Sequence, residues 1–169
     1  MASAEKRMGS AFSTLRSRTA VAAVGIPVVL GSLYYGGIAL FIFVNIVQAV
    51  SLWELAGLSR KKGFTPLRML PVCALVTLNA DLTFRHGKDL LPIAMALFFM
   101  IAIVELFRGK PHSIANASVS VFSGVYLACF SFLIPLRNLP FPEAARVMTG
   151  GRLLWMLFTT VWEIGRAHV

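Results

Sequence analysis

Five apolar runs follow one another along the chain, at 19–35, 37–58, 69–84, 90–107 and 114–136, with short turns and basic patches between them. A helix rises about 1.5 Å per residue, so runs of this length read as repeated crossings of the roughly 30 Å hydrocarbon layer of a membrane. The spacing predicts an all-α fold: a polytopic transmembrane helical bundle of five complete helices plus a truncated sixth at 153–162. The run at 69–84 is the weakest span, because it carries Asn79 and Asp81. Composition excludes a conventional water-soluble globule, since 57% of the residues are hydrophobic and 14% charged, against roughly 45–50% and 25% in soluble domains.

The net charge is +9, from 16 Lys and Arg against 7 Asp and Glu. A basic stripe interleaved with aromatics, as nucleic-acid binding needs, is absent. The cations gather at the ends of the apolar runs, where they set orientation and meet anionic head groups. Residues 1–18 form a basic tail, and Gly36-Gly37 makes a turn between two apolar runs, so the N-terminal part reads as a helical hairpin and not as a cleaved signal peptide. On one face lie ten cations: Lys6, Arg7, Arg16, Arg18, Arg60, Lys61, Lys62, Arg68, Arg108 and Lys110. The other face has five: Arg85, Lys88, Arg137, Arg146 and Arg152. This bias places the N-terminus in the cytoplasm and sends the sixth helix back toward it.

The sixth run, Leu153 to Trp162, covers only about 15 Å at helical rise. Glu163, Arg166 and His168 then appear abruptly. Ile164-Gly165-Arg166-Ala167-His168-Val169 is also what a widely used sequencing-library adapter encodes, and Glu163 fits the codon that straddles the join, so 163–169 read as translated adapter.

Ionisable and amide groups at membrane depth are costly and often functional. Asn45 and Gln48 share a face of the second helix by their i, i+3 spacing, suited to hydrogen bonds with a neighbour. Glu54 either lines a polar cavity and helps hold a cation or is an interfacial carboxylate paired with Arg60 or Lys61. Glu105 poses the same choice, with Arg108 three residues on. Asp81 with Asn79 stands at an interface if the third helix ends there. Arg137 closes the fifth span, where a cation suits the helix dipole, snorkels to head groups, or touches a lipid phosphate. Gly124 near Tyr126 permits close helix packing, and Asn116-Ala117-Ser118 is discounted as a glycosylation triplet because it opens a span. Cys73 and Cys129 read as small buried hydrophobes, without disulfide or metal spacing. No phosphate loop, nucleophile elbow or metal-spaced set occurs, so no catalytic, cofactor-binding or metal-binding residue is assigned within the chain.

The order of several short features resembles the N-terminal part of the bacterial phosphatidate cytidylyltransferases, or CDP-diglyceride synthases. The carriers are Arg18-Thr19-Ala20-Val21, Gly25-Ile26-Pro27, Tyr35-Gly36-Gly37, Trp53-Glu54-Leu55, Lys62-Gly63-Phe64-Thr65-Pro66, the helix around Phe122 to Leu127, and Leu136-Arg137-Asn138-Leu139-Pro140. Ala128 stands where the family pattern has a second Gly. The resemblance covers nearly all of residues 15 to 162 and implies transfer of CMP from CTP to phosphatidate in phospholipid biosynthesis, giving CDP-diacylglycerol and diphosphate. It implies Mg2+ as cofactor of the intact enzyme, with ligands outside this chain: the family's Ser-x-x-Lys-Arg and His-Gly-Gly-x-x-Asp-Arg signature has no counterpart here, so the chain by itself is expected to be inactive. Glu54 and Arg137 match recurrent positions whose roles are unassigned. The implied partners are CTP, phosphatidate and membrane lipids, with no nucleic acid; a homodimer is compatible with them, and the implied location is a bacterial inner membrane. Competing readings are a small multispan transporter subunit, with Asn45, Gln48, Glu54 and Asp81 along its path, and a non-catalytic membrane protein whose basic loops bind anionic lipids.

Overall fold

A computed structural model describes residues 23–139 and 146–166. The tail 1–18, residues 19–22 of the first expected span, the proline-rich break at 140–142 and residues 167–169 lie outside them. Among the described residues there are six helices and no strand. They are α1 (Ala23–Tyr35), α2 (Gly37–Lys61), α3 (Met69–Phe84), α4 (Leu90–Phe107), α5 (Ser113–Arg137) and α6 (Arg146–Arg166). Three of them, α2, α4 and α5, are long and apolar enough to cross a membrane. The 16 residues of α3 rise about 24 Å, short of the roughly 30 Å expected of a full span.

Several local signals explain the breaks. Only Gly36 separates α1 from α2, at φ +63°, and Gly37 follows at φ +49°, a region that non-glycine residues enter at a cost. Gly63, Gly87 and Gly109 supply the same left-handed backbone in the next three loops. Asp81 shapes the α3–α4 turn: its carbonyl accepts the N–H groups of Arg85 at 2.8 Å and Gly87 at 3.2 Å, and its carboxylate accepts that of Asp89 at 3.2 Å. An Arg85–Asp89 ion pair closes the turn from outside.

The bundle packs α2, α3, α4 and α5 around one another, with α6 laid against the end of α5. One apolar core joins Leu33, Leu40, Val44, Ile134 and Leu154, and a second joins Leu52, Leu75 and Leu127. Large apolar side chains such as Ile38, Ile42, Ile46 and Phe99 face outward. Polar ones, including Gln48, Asn79, Glu105, Asn116 and Ser120, are buried. Such an apolar outside and partly polar inside suits lipid, where association relies on close packing and interhelical hydrogen bonds.

The structure differs from expectation at the two cysteines and at Arg137, whose guanidinium meets another helix. Cys73 and Cys129 are exposed free thiols on the outer surface, while Ala74, Leu75 and Leu127 of the same helices turn inward. The sixth helix occupies Arg146–Arg166 and contains the apolar run 153–162, since a helix satisfies its backbone within itself and needs no unbroken apolar run.

Candidate functional site

Two buried polar clusters and one buried arginine organise the bundle. At mid-bundle, Asn79 Nδ2 donates to Gln48 Oε1 at 2.7 Å and to Asn45 Oδ1 at 3.1 Å, linking α3 to α2. Gln48 Nε2 donates in turn to the Leu127 carbonyl at 2.8 Å and Ser131 Oγ at 2.9 Å, linking α2 to α5. The reason lies in α5, which tightens to a 3-10 turn over Cys129–Phe132. Such tightening displaces the usual i to i−4 bonds and leaves carbonyls for other donors. Gln48 thus supplies a donor where the α5 ladder changes register.

At the end of the bundle that carries the α2–α3 loop, backbone groups of the loop are held by side chains of α5 and of Arg108, the residue that follows α4. Thr65 N–H donates to Asn116 Oδ1 at 2.8 Å, and Leu67 N–H donates to Ser120 Oγ at 2.9 Å. Arg108 Nη1 reaches the Thr65 carbonyl at 2.7 Å and Glu105 Oε2 at 2.8 Å. Glu105 is 1% exposed. Its expected pairing with Arg108 therefore forms inside the protein, not at the interface, and Oε1 is left without a hydrogen-bond partner. Arg60, Lys61, Lys62 and Lys110 are exposed at the same end, and the Arg68 guanidinium lies 4.7 Å over the Trp53 ring.

Arg137 neither snorkels nor caps its own helix. Its Nε donates to the Leu33 carbonyl at 3.1 Å and its Nη2 to the Tyr34 carbonyl at 3.2 Å, so a buried cation meets the orphan carbonyls and negative dipole end of α1. Gly36 allows this approach: a Cβ there would stand 3.3 Å from Arg137 Nε.

The structure brings Asn45, Gln48 and Asn79 together but does not join them to Glu54 or Asp81. Glu54 is exposed and forms no ion pair with Arg60 or Lys61, while Asp81 belongs to the α3–α4 turn. Gly124 is buried facing Pro71 of α3, as close packing requires. Asn116 and Ser120 were missed as loop anchors, although their i, i+4 spacing on an apolar helix carried the signal. Among the described residues, no three His, Cys, Asp or Glu side chains gather as a metal site.

What the described residues can do chemically is bind and orient: they fix helix ends, hold a basic loop in one shape and present cations beside it. The cytidylyltransferase family matches this chain over residues 16–165. No curated protein and no solved structure matches.

Proposed function

Because the chain belongs to the cytidylyltransferase family, we propose that it is the N-terminal membrane part of a phosphatidate cytidylyltransferase acting in phospholipid synthesis. In that reaction a phosphate oxygen of phosphatidate bonds to the α-phosphorus of CTP, the bond to the β-phosphate breaks, and diphosphate leaves with CDP-diacylglycerol as product. The family match over 16–165 carries the reading, and the apolar helices supply the membrane setting a lipid substrate needs.

Divalent cations offset charge in such transfers. The described residues do not fit as their ligands, since no carboxylate-rich group forms. The contribution of this part is to place the basic α2–α3 loop, with Arg60, Lys61 and Lys62, at one membrane face, taken as the cytoplasmic face of a bacterial inner membrane, where CTP is available.

The test is CTP-dependent formation of CDP-diacylglycerol, read as transfer of labelled cytidine into the lipid phase. Membranes carrying the full reading frame of the gene should form product, and membranes carrying this chain alone should not. Turnover by the chain alone overturns its inactivity, and no turnover by the full reading frame overturns the enzyme assignment.

A further inference from the structure

Toward its C-terminal end α2 changes from apolar to charged. From Gly37 to Trp53 it rises about 25 Å, close to the roughly 24 Å of α3, whose first residue follows Arg68. Trp53 and Arg68 therefore stand at one level, the polar boundary of the layer, where tryptophan and cations belong. Trp53 is 54% exposed, and the Arg68 guanidinium lies 4.7 Å over its ring.

This cation is fixed but uncommitted. Among the described residues none accepts a hydrogen bond from the guanidinium, and neither of their ion pairs includes it. Nε is enclosed without an acceptor, so the edge left open is the pair of terminal nitrogens, Nη1 and Nη2. Arg60, Lys61 and Lys62 are exposed at the same end, and Glu54 is the one carboxylate of that helix. The backbone that delivers Arg68 is pinned just before it: Asn116 holds the Thr65 N–H, Ser120 the Leu67 N–H and Arg108 the Thr65 carbonyl. Approach along α2 is open, because Gly57 follows Trp53 by one turn on the same face and nothing lies within 4 Å of where its Cβ would stand.

We propose that Arg68, stacked on Trp53, binds the phosphomonoester head group of a lipid in the leaflet beside the basic loop. Two N–H groups held side by side match two oxygens of one phosphate, a geometry that lysine lacks. A phosphomonoester carries nearly two negative charges near neutral pH and a phosphodiester one, so the surrounding cations favour the monoester. It also ends the head group, so nothing beyond the phosphate obstructs Nη1 and Nη2. The inference deepens the reading above, whose acceptor is a lipid of this class, but it is measured by retention and not by turnover.

The experiment is native mass spectrometry of the whole chain in detergent, with equimolar dioleoyl-phosphatidate and dioleoyl-phosphatidylglycerol, with and without excess inorganic phosphate. Phosphatidate should be retained about tenfold over the glycerol lipid, the ratio that one hydrogen bond to a charged group supplies. Arg68→Lys keeps the charge and should abolish the preference. Gly57→Leu alters no charge and should lower phosphatidate retention severalfold by filling the approach. Lys88→Gln, at the opposite end of the bundle, should change neither. Equal retention of the two lipids by the unaltered chain overturns the head-group assignment, and a preference that survives Arg68→Lys overturns the fork. Retention unchanged by Gly57→Leu, or lowered as much by Lys88→Gln as by Arg68→Lys, overturns the location. Displacement of phosphatidate by inorganic phosphate overturns the lipid and gives the site to a free anion. Retention as expected, with no product from the full reading frame, would sink the reaction and leave this site standing.

Discussion

Gly150 of α6 rests against the backbone of Arg137, so close that a Cβ at Gly150 would lie 2.9 Å from the Arg137 carbonyl carbon. The same Arg137 closes the C-terminal end of α1 through its side chain. One residue of α5 therefore fixes two other helices, one by its guanidinium and one by its main chain. Gly150→Ala forces backbone apart and should cost about 1–3 kcal/mol, the scale of overpacking. Gly151→Ala meets open space and should cost nothing measurable, or stabilise slightly by helix propensity. Denaturant titration of the detergent-solubilised chain separates the two; equal midpoints would refute the contact.

Arg137→Lys tests the geometry of the guanidinium. A lysine keeps the charge but lacks the planar fork that serves two successive carbonyls. A loss of about 1–2 kcal/mol is expected, within the range for hydrogen bonds to a charged group. Stability equal to that of the unaltered chain would show that charge alone suffices.

The mid-bundle amides should behave as one unit. Gln48→Leu leaves Asn79 with only its longer bond to Asn45 and the Leu127 carbonyl without its side-chain donor, and should cost about 1–2 kcal/mol, the upper range for polar pairs in membranes. Adding Asn79→Leu should cost less than the sum of the two single changes, because each removes the same bond. Strict additivity in the double-mutant cycle would mean that the bond contributes nothing.

The six helices were legible in the chain because apolar runs and glycine turns are local signals. The faces were not. Gln48 could be placed beside Asn45 by helical spacing, yet its partners at Leu127 and Ser131 lie about eighty residues away and depend on a 3-10 turn that no residue pattern announces. The chain alone leaves Arg137 to its own helix end, to head groups or to a lipid phosphate, because the carbonyls it reaches are more than a hundred residues earlier. Glu105 and Arg108 were paired correctly from their i, i+3 spacing, whereas their burial depends on the loop at Thr65 folding over them. The sixth helix outran its apolar segment because hydropathy reports contact with lipid and not backbone hydrogen bonding.

Orientation is open to a direct measurement. In a background with Cys73 and Cys129 replaced by Ala, Lys62→Cys should react with a membrane-impermeant maleimide only after cells are opened, and Lys88→Cys in intact spheroplasts. The reverse pattern would invert the topology read from the basic residues.

The loop anchors give a prediction at single-amide resolution. Asn116→Ala removes the acceptor of the Thr65 N–H, and Ser120→Ala that of the Leu67 N–H. Each should speed hydrogen exchange at its own loop amide by roughly tenfold or more, with little change in the helices. Uniform acceleration along the chain would indicate global loosening instead.

The hold of Asn116 and Ser120 on Thr65 and Leu67 also orders events during synthesis. The loop leaves the ribosome 51 to 53 residues before the side chains that shape it. Until α5 has entered the membrane beside α2 and α3, those two loop amides have only water or lipid head groups to bond. The conformation of this basic segment is therefore set after its own insertion, and its maturation is timed by the arrival of the fifth helix.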